Sequence, residues 1–261
     1  MPARVITITS GKGGVGKTTT TANLAAALAE LKKRVVAIDT DIGLRNLDLI
    51  MGVEKRIVAD LVDVIEKRAE LRQAMIKHKQ YPDLYVIPAA QTRDKTAVSP
   101  AQMVEVVKQL RPDFDFILID SPAGIERGFR NAIAAADEVL IVTNPEVSAV
   151  SDADRIVGLM EADERHLPMK LIINRVKPEM VRRGEMLSIQ DVVEILSLDP
   201  IGVIPDDESV LIGSNRGELL VGRSGDAYRQ IARRLLGEDI PIIRIEKSGG
   251  LFNRIGRLFG S

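Results

Sequence analysis

The chain has 261 residues, 45% of them hydrophobic and 28% charged, with a formal net charge of -1. That is the profile of a soluble globular protein long enough to bury one substantial core, and with no basic excess it offers no general attraction to nucleic acid. Cysteine is absent, which excludes disulfides, thiolate catalysis and cysteine-ligated clusters.

Met1-Pro2-Ala3-Arg4 runs straight into the apolar stretch Val5-Ile6-Thr7-Ile8, predicted as a strand with no secretory leader before it. Next comes Gly11-Lys12-Gly13-Gly14-Val15-Gly16-Lys17-Thr18, which fits G-x-x-x-x-G-K-[ST] between that strand and a helix predicted from Thr19 to Leu31. Glycines 11, 13, 14 and 16 let successive N–H groups converge on phosphate oxygens, and the helix points its positive N-terminus at the same anion. Lys17 would reach the β- and γ-phosphates and the Thr18 hydroxyl would take one Mg²⁺ position. A plain glycine-rich turn explains any two of these residues but hardly the whole set. Lys12 adds a second cation inside the loop. It is either a solvated surface lysine or a charge supplied to a neighbouring subunit, as arginine fingers are.

Further apolar runs predict strands at Val35–Asp39, Tyr85–Ile87, Phe116–Ile119, Val139–Val142, Leu171–Ile173 and Ile201–Ile204, with amphipathic segments between most of them. The pattern predicts an α/β fold: a doubly wound, mostly parallel sheet with helices on both faces, of the P-loop NTPase kind. Ligands in such sheets bind beyond the carboxyl ends of the strands. Asp39, Asp41 and Asp120 stand there. Asp39 is either a carboxylate near the Mg²⁺ shell or a turn former, whereas Asp120 closes a strongly apolar strand and suits the metal. Asp41 lies past its strand on a glycine-containing segment, where it could orient attacking water. Asn174, Pro205 and Asp206 follow later strands and are expected at the base. Asn174-Arg175-Val176-Lys177 lacks the acid with which guanine-specific P-loop proteins read their base, so adenine is favoured. His78 and His166 lie among polar residues and read as surface.

The ATPase domain is expected to span residues 1–238, with a linker at 239–250 and an amphipathic helix at 251–260. In that last segment Leu251, Phe252, Ile255, Leu258 and Phe259 share an arc of about 120°, with Arg254 and Arg257 on the flank. Docked on the sheet it would be a core helix. Behind a double glycine and flanked by basic residues it suits an anionic membrane surface.

On these residues the sequence resembles the deviant P-loop ATPases of the MinD/ParA family, which also holds the nitrogenase iron protein. Lys12 and Lys17 within one loop are the family's mark, and Asp39 to Asp48, Asp120 to Glu126, Asn144-Pro145-Glu146 and the terminal segment are similar to its MinD-type members. The resemblance implies an ATPase switch that uses ATP and Mg²⁺ and pairs face to face as a homodimer. Lys12 would reach the partner's nucleotide, with Glu146 able to hold it. Asp41, assisted by Asn46, would position water, while Asp39 and Asp120 would serve the outer metal shell and sense the γ-phosphate. Asp152 and Asp154 match positions near the partner surface. It further implies a MinC-like inhibitor, a MinE-like activator and a cytoplasmic protein peripheral on the inner face of the membrane. The alternative is a ParA-type DNA-segregation ATPase, against which the terminal helix argues. A small-molecule ligase or kinase would need a pocket the sequence does not advertise, and an iron–sulfur carrier would need cysteine.

Overall fold

Apolar residues alternate between two faces along the central strands, and the fold follows from covering both. In the computed structural model, which describes residues 2–93 and 97–242, the strands are β1 (Arg4–Thr9), β2 (Val35–Asp39), β3 (Ile76–Lys77), β4 (Leu84–Ile87), β5 (Phe116–Asp120), β6 (Glu138–Thr143), β7 (Met169–Val176) and β8 (Pro200–Pro205). They form one sheet in the order β3-β4-β2-β5-β1-β6-β7-β8. Each pairing is parallel except that of β3, which runs antiparallel to β4.

The helices are α1 (Lys17–Glu30), α2 (Leu47–Ile50), α3 (Leu61–Ile65), α4 (Leu71–Ala74), α5 (Pro100–Leu110), α6 (Arg127–Ile133), α7 (Val147–Glu161), α8 (Pro178–Arg183), α9 (Ile189–Leu196), α10 (Glu208–Arg216) and α11 (Gly222–Leu235). Ile6, Ile8, Ala37, Leu118, Leu140 and Val142 point to the face covered by α1 and α11. Their neighbours Val5, Ile38, Ile117 and Ile119 point to the other face, under α5 and α6, and Ile141 and Ile173 lie under α7 and α9. Each leucine, isoleucine or valine side chain among them contributes roughly 1.5–3 kcal/mol on burial. The two-faced burial explains why the strands read as continuous apolar runs.

Local chemistry sets the helix ends. Ser99 caps α5 in a box with Gln102, and Pro100 follows where no N–H is needed. Ser188 and Asp191 do the same for α9. The buried alanines 22, 25, 26, 27 and 29 let α1 lie close between the sheet and α11. α11 begins at Gly222, where Asp207 accepts the Ser224 N–H at 3.1 Å and organises the first turn. Gly225 fits there for lack of a side chain, since a Cβ would stand 2.2 Å from the Leu220 carbonyl oxygen.

From β1 the chain departs to β2 on one side, and the strand that later pairs on its other side is β6. The crevice at this reversal lies beyond the end of β1, where the glycine-rich loop begins. Among the described residues no helix is long and apolar enough to cross a membrane. The expected helix 251–260, with Leu251, Phe252, Arg254, Ile255, Arg257, Leu258 and Phe259, and the linker beyond 242 lie outside the described residues.

His166 is exposed, as read, but His78 is not a surface residue: only 4% of it is accessible. Its Nδ1 accepts the backbone N–H groups of Gln80 and Tyr81, so Nε2 must carry the proton it donates to the Met51 carbonyl at 3.1 Å. The polar neighbours in sequence hid an imidazole that pins the β3–β4 edge to the end of α2. Burial holds its pKa below 6.5, and the bond to Met51 opposes that only in part. The neutral form is therefore favoured in the native state, and stability is lost as pH falls below about 6.5 towards the folded pKa. Nitrogen-detected NMR should report the Nε2–H tautomer with a midpoint below 6.5. A midpoint at or above that value would contradict the buried, neutral assignment.

Candidate functional site

The loop after β1 is shaped by what its glycines avoid. Gly14 and Gly16 take φ of +80° and +97°, the left-handed region that side chains disfavour. A Cβ on Gly11 would lie 2.0 Å from the Asp152 carbonyl oxygen, so α7 packs directly on the loop, and one on Gly16 would lie 2.3 Å from Asn174 Nδ2. Around Gly14 the space is open to 4 Å, and Gly13 meets only Ala123 at that distance. No side chain caps the N-terminus of α1, which leaves its first N–H groups for an anion. Val15 is buried and its carbonyl accepts from Asn174 Nδ2 at 2.7 Å. Asn174 thus fastens the loop from β7, a task its position in sequence did not disclose.

Beside the loop, Asp39 and Asp120 are register partners at the ends of β2 and β5 and are both buried. Burial raises the pKa of Asp39 and the neighbouring Asp120 charge adds to it, while three backbone N–H groups oppose. Those donors come from Asp41 at 2.9 Å, Asn46 at 3.1 Å and Leu47 at 3.2 Å. Asp39 therefore ties down the 40–46 loop and the start of α2, the turn-forming role its sequence position had left open. Burial also raises the pKa of Asp120, opposed by the Lys17 charge and by hydrogen bonds from Thr18 and Thr21. Thr21, one turn beyond Lys17 on α1, donates to Asp120 Oδ1 at 3.1 Å. The signal for Thr21 in the sequence is its spacing, since a hydroxyl four residues after the loop lysine shares its helix face.

Asp41 sits partly buried in the tethered loop, beside a small cavity of about 40 Å³ that it lines with Thr40 and Asn131. Asn46 is exposed. Lys12 leans away from the loop: its Nζ donates to Ser148 Oγ at 2.9 Å and lies 3.7 Å from Glu146 at the start of α7. Ser148 gave no signal in the sequence, because only the fold brings it to Lys12. On the other flank, Gly16, Thr19, Asn174, Arg175, Pro205 and Asp206 line a cleft of about 390 Å³ whose floor includes Tyr228. Asp206 pairs with Lys177 at 3.2 Å, and the Pro205 carbonyl accepts from Ser224.

Among the described residues no group of three histidine, aspartate or glutamate side chains gathers to hold a metal. A nucleotide-borne Mg²⁺ needs none, since phosphates and a loop hydroxyl hold it with a carboxylate behind. Thr18 hydrogen-bonded to Asp120, beside Lys17, fits that donor set.

The two tasks open to Asn174 are separable. If it serves the loop, Asn174→Ala should weaken not only ATP but also inorganic tripolyphosphate, the latter by about tenfold for one lost buried hydrogen bond. Titration calorimetry with both ligands checks this, and a loss confined to ATP would return Asn174 to the base.

The family described as an AAA domain matches residues 3–173. The septum site-determining protein MinD of Bacillus subtilis is 51% identical, over 98% of this chain and 97% of its own length. Among solved structures, the MinC:MinD cell division protein complex of Aquifex aeolicus superposes with a TM-score of 0.85 at 47% identity, covering 93% of this chain and 99% of that one. MinD of Pyrococcus horikoshii, solved with Mg-ADP, gives 0.80 at 30% identity over 91% and 100%. A ParA-family ATPase from Chlorobium tepidum, at 20% identity, shares the fold alone. With its loop, paired aspartates and full-length likeness, the chain belongs to the MinD family of P-loop ATPases.

Proposed function

We propose that the chain is an ATP-driven switch that binds MgATP, pairs face to face with a second copy, attaches to anionic membrane and recruits a MinC-like inhibitor to place the division site. A MinE-like activator of hydrolysis would reset it. The reading rests chiefly on Lys12, a cation at the mouth of the phosphate loop that is held, half exposed, by Ser148 and Glu146. A lysine built to serve its own nucleotide would be drawn in, as Lys17 is buried beside Asp120, whereas one resting on the rim can reach across an interface. Leu44, Ile125 and Val147 are exposed apolar side chains on segments flanking the same mouth, which supports a surface that is covered part of the time. The Aquifex complex supports the MinC-like partner.

In this reading Lys17 and the first N–H groups of α1 hold the phosphates, and Thr18, backed by Asp120, holds Mg²⁺. The metal would supply neutralisation of charge on the β- and γ-oxygens. Asp41 orients water from the loop that Asp39 tethers, with Asn46 beside it, and the cleft at Asn174, Pro205 and Asp206 takes adenine. Lys12 acts on the nucleotide opposite. The terminal segment from Leu251 supplies a weak, reversible anchor, and two of them joined in a dimer raise avidity by ~10²–10⁴ without new contacts.

Mixing tests the shared site. Lys12→Ala and Asp41→Ala should each hydrolyse ATP slowly, and together should regain activity, because one heterodimer site then holds an intact lysine and an intact aspartate. Heterodimers without recovery would place Lys12 at its own nucleotide. For the membrane, vesicles containing anionic lipid should bind the protein with a non-hydrolysable ATP analogue far better than with ADP, and Phe252→Glu should abolish the difference. Equal binding in both nucleotides would remove dimer avidity from the mechanism.

A further inference from the structure

Arg175 stands where β7 loses its regular pairing to β8, between register partners Ile173 and Val176. Its φ is +55°, a costly conformation for a long side chain that persists only when its surroundings enforce it. It coincides with a hydrogen bond from the Arg175 N–H to Asn174 Oδ1 at 2.9 Å. The irregularity turns Asn174 inward to the phosphate loop and Arg175 outward over the adjoining cleft.

Exposed arginines elsewhere are mostly engaged: Arg111 with Asp137, Arg165 with Asp163, Arg183 with Glu185, Arg229 with Glu30. Among the described residues the Arg175 guanidinium makes no hydrogen bond or ion pair. It is close enough to Tyr228 to draw that phenol's pKa down, although burial still lifts it to about 12. Ile50, Ile204 and Leu211 make other walls of the same cleft apolar. Asp206, Asp207 and Glu208 make another part of the lining acidic, and a flat cation on a cleft that is apolar on one part suits a flat ligand with a π-face. The phosphate end of the cleft is already served by Lys17 and the α1 N-terminus.

From this geometry we infer that Arg175 clamps the base of the bound nucleotide, its guanidinium stacked on the purine; the inference rests on the nucleotide reading of the cleft. Asn174 then works as a bracket, its amide nitrogen setting the phosphate loop and its oxygen setting the base clamp. Base and triphosphate are held in fixed relation by one side chain.

Calorimetric titrations of the full chain with MgATP and with inorganic tripolyphosphate test this in Arg175→Asn, Arg175→Lys and Lys17→Ala. Asparagine tolerates the left-handed backbone, and lysine keeps the charge without the plane. Both Arg175 variants should lose about tenfold in ATP affinity, the size of a desolvated cation–π contact, and hold tripolyphosphate within about twofold. Lys17→Ala should lose both ligands. Equal losses for ATP and tripolyphosphate would make Arg175 a phosphate contact and overturn the clamp. A lysine variant that binds ATP as tightly as the parent would also overturn it, even if the asparagine variant failed to fold. A parent chain that bound tripolyphosphate but not ATP would instead bring down the nucleotide reading.

Discussion

Two carboxylates buried side by side, Asp39 and Asp120, set the terms for the rest of the site. They are register partners on adjacent strands, so the sheet itself imposes their proximity, and burial denies them water. Like charges so placed disfavour one another's ionisation. Each finds a different compensation. Asp39 gathers backbone N–H groups from the loop that carries Asp41, and Asp120 gathers hydroxyls and the Lys17 charge from α1. The charge state of the pair is thereby tied to the shape of one loop and to the cation of the other.

The phosphate loop and its neighbour are held by different partners. Asn174 fixes Val15, α7 presses on Gly11, and the Gly124 N–H donates to the Ser10 carbonyl at 3.1 Å. Such a frame is organised before any anion arrives, so little ordering cost remains at binding. The 40–46 loop has Asp39 as its main tether, with further bonds from Thr40 to the Asp120 carbonyl and from Gly43 to the Ala90 carbonyl. Recognition thus falls on a loop set by packing from other elements, and the proposed response on a loop whose main tether, Asp39, belongs to the carboxylate pair itself.

The sheet was legible because strands buried on both faces become apolar runs, and the phosphate loop because its glycines answer a demand that no other residue meets. β3 was not, since two residues carry no period. His78 was misread because its burial comes from Met51 and the 80–81 turn, partners that only the fold assembles. The start of α11 was obscured by Gly222 and Gly225, which look like a loop until the crowding by Asp207, Ser209 and Leu220 is seen. Residue types at strand ends pointed to the candidate site, yet they did not apportion its labour. Asp39 and Asn174 spend their polar atoms on backbone groups, and the task of Arg175, beside Asn174 in sequence, stays hidden because neither positive φ nor the lack of a partner is written in a residue name.

The resting place of Lys12 bears on which way the proposed switch moves. Its contacts to Ser148 and Glu146 are largely in solvent, and exposed pairs of this kind contribute about 0–1 kcal/mol. A phosphate met at a desolvated interface offers a charge-assisted hydrogen bond of greater strength. The lysine therefore gives up little on leaving α7 and gains only when a second nucleotide-loaded copy is opposite. ADP, lacking the γ-phosphate, shortens the reach of the charge it could meet. The direction of the exchange then follows from the weakness of the resting contact, without any requirement for strain in the monomer.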